Sequence, residues 1–213
     1  MRSVLCIIFP LVLIHTMAQV PVMDQDETMV KVEIFTDSLL GPFKQLRVYT
    51  EDKPAHFEFY SKDGVNSYSA YSDMRYPTTG YSYYEHYTLF MVEYRSEELA
   101  KKTFNSLCKK LNGEDLDLDT KKEWVKVRKM KAKYYVKAGG MILQHNNYVL
   151  NLVENCRNTP IRGTWTQYED LLLSYLFKEN DTVRILNANC GDSIYSEENR
   201  TVLAPNRNLI YER

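Results

Sequence analysis

The sequence predicts an α+β fold, a mainly antiparallel sheet with at least two helices packed on one face. Three observations lead there. The segments 96–111 and 167–178 each place apolar residues along a single helical stripe. Several shorter runs alternate apolar and polar residues with the period of a strand. Between two of those runs stands Asn146-Asn147, a pair suited to a two-residue hairpin turn because both positions tolerate positive φ.

The chain opens on what reads as an export leader, residues 1–18. Arg2 supplies the positive start, Val4 to Ile14 is apolar, and Thr16-Met17-Ala18 offers small residues for cleavage. The apolar run is shorter than the roughly 20 residues a membrane span needs, and no later segment is apolar enough to be transmembrane. Residues 19–213 are expected to form one domain, with 19–28 and 191–207 irregular. An exported location, secreted or periplasmic, follows from the leader.

Met29 to Phe35 alternates and reads as a first strand, broken by Leu40-Gly41-Pro42. Gln45 to Tyr49 and His56 to Tyr60 follow as short strands around the turn-forming Glu51-Asp52-Lys53-Pro54. Asn66 to Met74 and Tyr81 to Tyr94 form the next pair, joined by a hairpin loop containing Pro77 and Gly80. From Leu89 to Val92 both strand faces are apolar, which requires cover on both sides.

A helix follows. Ser96 is its N-cap, with Glu97 and Glu98 in the first turn and Lys109 and Lys110 in the last, as the helix dipole favours. Ala100, Phe104, Leu107, Cys108 and Leu111 make the stripe, and Asn112-Gly113 stops it. Next, Met130, Ala132, Tyr134 and Val136 alternate with lysines, so a strand there presents a solvated or edge-protecting basic face. Gly139-Gly140 turns the chain into Met141 to Gln144, and Tyr148 to Glu154 returns, completing a three-stranded meander over 130–154. The second helix, 167–178, carries capping-box spacing at Thr166 and Glu169. Thr182 to Leu186 is a last core strand. The heptads Tyr87–Glu93 and Tyr148–Glu154 agree at four of seven positions; two central strands with the same burial demands account for the likeness.

Removing the leader takes away Arg2 and moves the net charge from −1 to −2. A near-neutral chain lacks the basic footprint of nucleic-acid binding. Three cysteines remain. Cys108 sits on the helix stripe as a small buried hydrophobe, which leaves Cys156 and Cys190 as the disulfide.

No catalytic signature is present: no G-x-S-x-G, no H-E-x-x-H, no phosphate-binding glycine loop and no C-x-x-C. Nor is a set of four close N or S ligands, so neither metal nor cofactor is expected. His56 with Glu58, and Tyr84 with His86, share strand faces, while His145 at a hairpin turn reads as solvated. Asn180-Asp181-Thr182 and Asn199-Arg200-Thr201 are N-glycosylation sequons. The loop tip holds Tyr76, Tyr81, Tyr83, Tyr84 and His86 among Gly, Pro, Thr and Ser, a set of rigid amphipathic rings suited to contact. The function expected is a non-catalytic binding protein using this tip on a protein or carbohydrate partner outside the cytoplasm. An exported hydrolase whose His56, Glu58 or His86 converge in space, or a secreted inhibitor, are the competing expectations.

Overall fold

The computed structural model describes residues 26–50, 60–73, 87–112, 138–156, 160, 162–190 and 195–211. Its sheet contains β1 (Lys44–Tyr49), β2 (Val65–Asp73), β3 (Tyr87–Tyr94), β4 (Ala138–His145), β5 (Tyr148–Asn155), β6 (Thr182–Ala188) and β7 (Ser196–Thr201). The strands lie in the order β1-β2-β3-β5-β4-β6-β7, every neighbouring pair antiparallel. Among the described residues three α-helices accompany them: α1 (Glu27–Leu40), α2 (Glu97–Leu111) and α3 (Trp165–Leu176).

The α+β class and the helix-covered antiparallel sheet are those the sequence predicts. Two helices, α1 and α3, pack on one face as expected, while α2 covers the opposite face. Leu89, Met91, Leu150 and Leu152 pack with α1 and α3, whereas Phe90, Val92, Ile142 and Val149 pack with α2. The central strands are apolar on both sides, so one covered face would have left the other in water.

The largest local correction is at the N-terminal end. Met29 to Phe35, which alternates like a strand, lies inside α1. Its buried residues Thr28, Val32, Phe35, Thr36, Leu39 and Leu40 recur at helical spacing. Asp26 caps the helix by accepting from the backbone N–H groups of Thr28 (2.9 Å) and Met29 (3.2 Å). Gly41, at φ 54°, ends it, and a Cβ there would stand 2.8 Å from the Tyr211 ring. The tail is also more ordered than expected, since 191–207 contains the whole of β7. Its sequence, SEENRT, is polar throughout, as an outer strand can be.

Gly139 and Gly140 belong to β4 and are not a turn. A Cβ on Gly140, whose φ is 151°, would stand 2.1 Å from the carbonyl oxygen of Leu152 in β5. One on Gly139 would stand 2.7 Å from the carbonyl oxygen of Ala188 and 3.1 Å from Cys190 Sγ. The glycines thus let the neighbours of β4 close over its start. There Cys156 after β5 and Cys190 after β6 form the expected disulfide, with Cα atoms 5.2 Å apart. The bridge contributes roughly 2–4 kcal/mol. Gly140→Ala is expected to cost roughly 2–6 kcal/mol, from about 1–3 each of backbone strain and overpacking. A denaturant midpoint within error of the wild type would refute that reading.

Asn146 (φ 50°) and Asn147 form the β4–β5 hairpin turn as expected. The capping box of α3 sits two residues earlier than its sequence reading, with Thr164 and Gln167 exchanging the two bonds. The repeated heptads turn out to be β3 and β5, paired end to end, Tyr87 opposite Glu154 and Glu93 opposite Tyr148. The helices that follow them lie on opposite faces, so the likeness does not mark two equivalent halves.

Candidate functional site

Tyr76, Tyr81, Tyr83, Tyr84 and His86, with His56 and Glu58, lie outside the described residues, as do the leader and the lysine-alternating strand 130–136. Cys108 is buried and unpaired, and burial pushes its thiol up to about 11, so it is protonated and unreactive at neutral pH.

The strongest chemistry among the described residues was invisible in the sequence. It lies beneath α3, where that helix crosses the ends of β5, β6 and β7. Glu154 closes β5 and is 2 % exposed; Glu169 projects from α3 and is 3 % exposed. Arg200 of β7 donates to Glu169 Oε2 through Nη1 at 2.5 Å, and to Glu198 Oε1 through Nη2 at 2.5 Å and Nε at 3.0 Å. Asp170 Oδ1 stands 3.6 Å from Nη1, and Asn187 Nδ2 donates to Glu198 Oε1 at 3.3 Å. One guanidinium therefore faces four carboxyl groups.

Glu198 and Asp170 reach solvent, but the sealed pair Glu154 and Glu169 cannot both stay ionised beside a single guanidinium. Burial, then the charge of Glu169 and a hydrogen bond to it, together raise Glu154 to about 9. Burial also raises Glu169, while Arg200 pulls it back toward the carboxylate form. The proton thus rests on Glu154, whose O–H donates to Glu169, and Glu169 is held as an anion by Arg200. Among the described residues, Oε1 of Glu154 and Oδ1 of Asn187 have no hydrogen-bond partner. A protonated and an ionised carboxyl side by side are what acid–base chemistry uses, yet these two are almost sealed from solvent.

A second buried network joins the helices. His145, expected to be solvated, is buried at the end of β4. Its Nε2–H donates to the carbonyl of Leu176 at 3.0 Å, and its Nδ1 accepts from the Thr28 hydroxyl at 2.9 Å. Lys31 donates to the same Leu176 carbonyl at 3.0 Å, so two side chains cap the C-terminus of α3. Burial, then the charge of Lys31, hold His145 below the ordinary imidazole value and keep it neutral.

Two surface features remain open. Strands β4 and β6 pair only over Gly140–Ile142 and Ala188–Leu186, although both continue beyond. Where they part lies a groove of about 330 Å³, floored by Phe104, Val183 and Phe177 and flanked by Lys101, Asp181 and Arg184. Arg184 stands over the Phe104 ring, 5.5 Å from its centre, and is already held by Glu197 at 2.5 Å and Asn105 at 2.6 Å. Its charge is therefore spent within the protein.

The other feature is apolar. Ile34 (52 % exposed), Phe43 (37 %), Leu46 (44 %) and Val48 (64 %) crowd into the stretch 34–48. Leu46 and Val48 lie opposite Tyr71 and Ser69, on the sheet face that α1 covers. The footprint of α1 stops short of them. Its Glu33 accepts from the Tyr71 hydroxyl at 3.3 Å, and its Asp37 pairs with Lys44 at 2.7 Å. Ile34 lies three residues before Asp37, on that same flank. The result is an apolar shelf along β1, an outer strand of the sheet among the described residues.

No family model matches the chain, and neither a curated protein nor a solved structure does. Among the described residues no helix is long and apolar enough to cross a membrane, and no group of three or more His, Cys, Asp or Glu is placed to hold a metal ion.

Proposed function

We propose that this chain is an exported interaction protein that works by contact, with the shelf of Ile34, Phe43, Leu46 and Val48 as its surface for a protein partner. One observation carries the reading: four large apolar side chains are exposed within one stretch of chain, Ile34 on α1, Phe43 on the short turn after it, and Leu46 and Val48 on the outer strand β1. Contiguous exposed apolar surface marks interaction sites. Aliphatic side chains match apolar protein surface better than the hydroxyl-rich face of a carbohydrate, so a protein is the partner class that fits. The Cys156–Cys190 disulfide suits an oxidising compartment and supports export.

The tyrosine-rich tip belongs to the same reading. Its segment leaves β2 at Asp73 and rejoins at Tyr87, and Asp73 pairs with Lys44, the first residue of β1. The two ends of that segment therefore open at the end of the sheet where the shelf begins. Tyr76, Tyr81, Tyr83, Tyr84 and His86 are proposed to extend the contact.

The test is affinity capture from an extracytoplasmic fraction with the wild type, a Leu46→Ser/Val48→Ser variant and a Tyr81→Ala/Tyr83→Ala variant. Changes at exposed positions such as Leu46 and Val48 shift stability by about 0.5 kcal/mol or less. Both variants are expected to melt as the wild type does, and the first to lose the captured partner. Unchanged capture by the Leu46/Val48 variant would remove the shelf from the function.

A further inference from the structure

We propose that Asn180 and Asn199 both carry N-linked glycans, and that the two glycans screen the β7 edge of the sheet. The sequons are separate in sequence and the fold brings them together. Thr182 and Thr201, their hydroxyl residues, sit directly opposite each other in the β6–β7 ladder, and Asn199 sits opposite Arg184. Both asparagines and both threonines are exposed. Asn180 occupies the turn between α3 and β6 at φ 70°, a conformation asparagine tolerates better than most residues.

The position has a physical use. An outer strand presents unpaired backbone groups, and natural sheets blunt such edges with charge or cover. The two outer strands here differ. On β7 the side chains alternate: Glu198 and Arg200 turn to the buried network, while Asn199 and Thr201 are exposed on the other side. Two glycans on that side would hinder a second chain from pairing there. On β1 no sequon is present, and the exposed residues are Gln45, Leu46 and Val48. One edge is thus screened and the other left for contact. The Cys156–Cys190 bridge points to the oxidising compartment in which such glycans are attached.

In the transfer, the amide nitrogen of the asparagine bonds to C1 of an oligosaccharide carried on a polyprenyl pyrophosphate. The C1–oxygen bond to phosphate breaks, the lipid pyrophosphate leaves with the bonding pair, and the amide gives up one proton to base. No group changes oxidation state.

The chain is produced behind a secretion leader in a eukaryotic host, and its gel mobility and peptide masses are read before and after peptide-N-glycosidase. Two glycans are expected, one lost in Asn180→Gln and one in Asn199→Gln. Thr201→Ser should keep the second glycan and Thr201→Ala should lose it, which separates sequon loss from any effect on folding. Secreted, disulfide-bonded wild type bare at either asparagine would overturn the assignment. For the screening role, deglycosylated protein is expected to self-associate more than untreated protein at equal concentration. Equal self-association would overturn that role.

Discussion

Arg200→Met is expected to destabilise the fold by about 3–5 kcal/mol, the cost of removing one member of a buried ion pair. Arg200 is the cation beneath α3 that holds Glu169, and Glu169 has almost no access to water. Without it the carboxylate must take a proton or stay charged in an apolar surround. Met keeps the apolar stem of arginine and lacks only its guanidinium end, and the double variant separates the lost charge from the lost volume. The companion Arg200→Met/Glu169→Gln removes the stranded charge and should recover part of the loss. Urea denaturation at pH 7 measures both. A double variant as unstable as the single one would show that packing, not the unpaired carboxylate, sets the cost.

Glu154→Gln is expected to change the pH dependence of stability more than its value at any one pH. Glu154 titrates at about 9 in the fold and near 4.5 when unfolded. Between those values the folded state keeps a proton that the unfolded state has lost, so stability falls as pH rises through that window. Glu169 of α3 and Arg200 of β7 act on the group directly, Tyr87 of β3 is its ladder partner, Tyr195 lies close enough to feel its charge, and Asp170 and Glu198 reach it only through Arg200. Burial also raises Glu169 and Asp170, and both act in the same direction. Glutamine copies the neutral acid and cannot ionise. Thermal melts from pH 5 to pH 9 should decline for the wild type and flatten for the variant. His145 limits the acid side. Its lowered titration means the unfolded state protonates first as pH falls below about 6.5, and stability drops until the folded imidazole also protonates. Identical pH slopes for the wild type and Glu154→Gln would show that the carboxyl is not held protonated.

Much of this fold could be read from local pattern. The stripe and caps of α2, the Asn146-Asn147 hairpin, the doubly covered centre of β3 and the Cys156–Cys190 bridge follow from short-range rules. The failures share a cause. Seven residues of α1 alternate like a strand, but the wider spacing from Thr28 to Leu40 is helical, and what decides is the apolar sheet face they cover. The polar β7 carries no periodic signal because its partner and its edge position define it. Of the acid network, Glu154 reads as one end of an ordinary strand and Glu169 as a capping-box residue at the start of a helix. Only the crossing of α3 over β5 and β7 joins them through Arg200, and no spacing rule connects residues 154, 169 and 200.

The sealed acids and the open shelf divide the molecule: charge is buried beneath α3, and apolar surface is exposed along β1, where the proposed partner would bind. The most direct check replaces Val48, or separately the exposed Leu203 beyond β7, with a photoreactive phenylalanine analogue. Each protein is then irradiated with the extracytoplasmic fraction from which the wild type captures its partner. Contact through β1 predicts an adduct to that partner from position 48 and none from position 203. An adduct from 203 with none from 48 would place the working surface on the opposite edge and contradict the account.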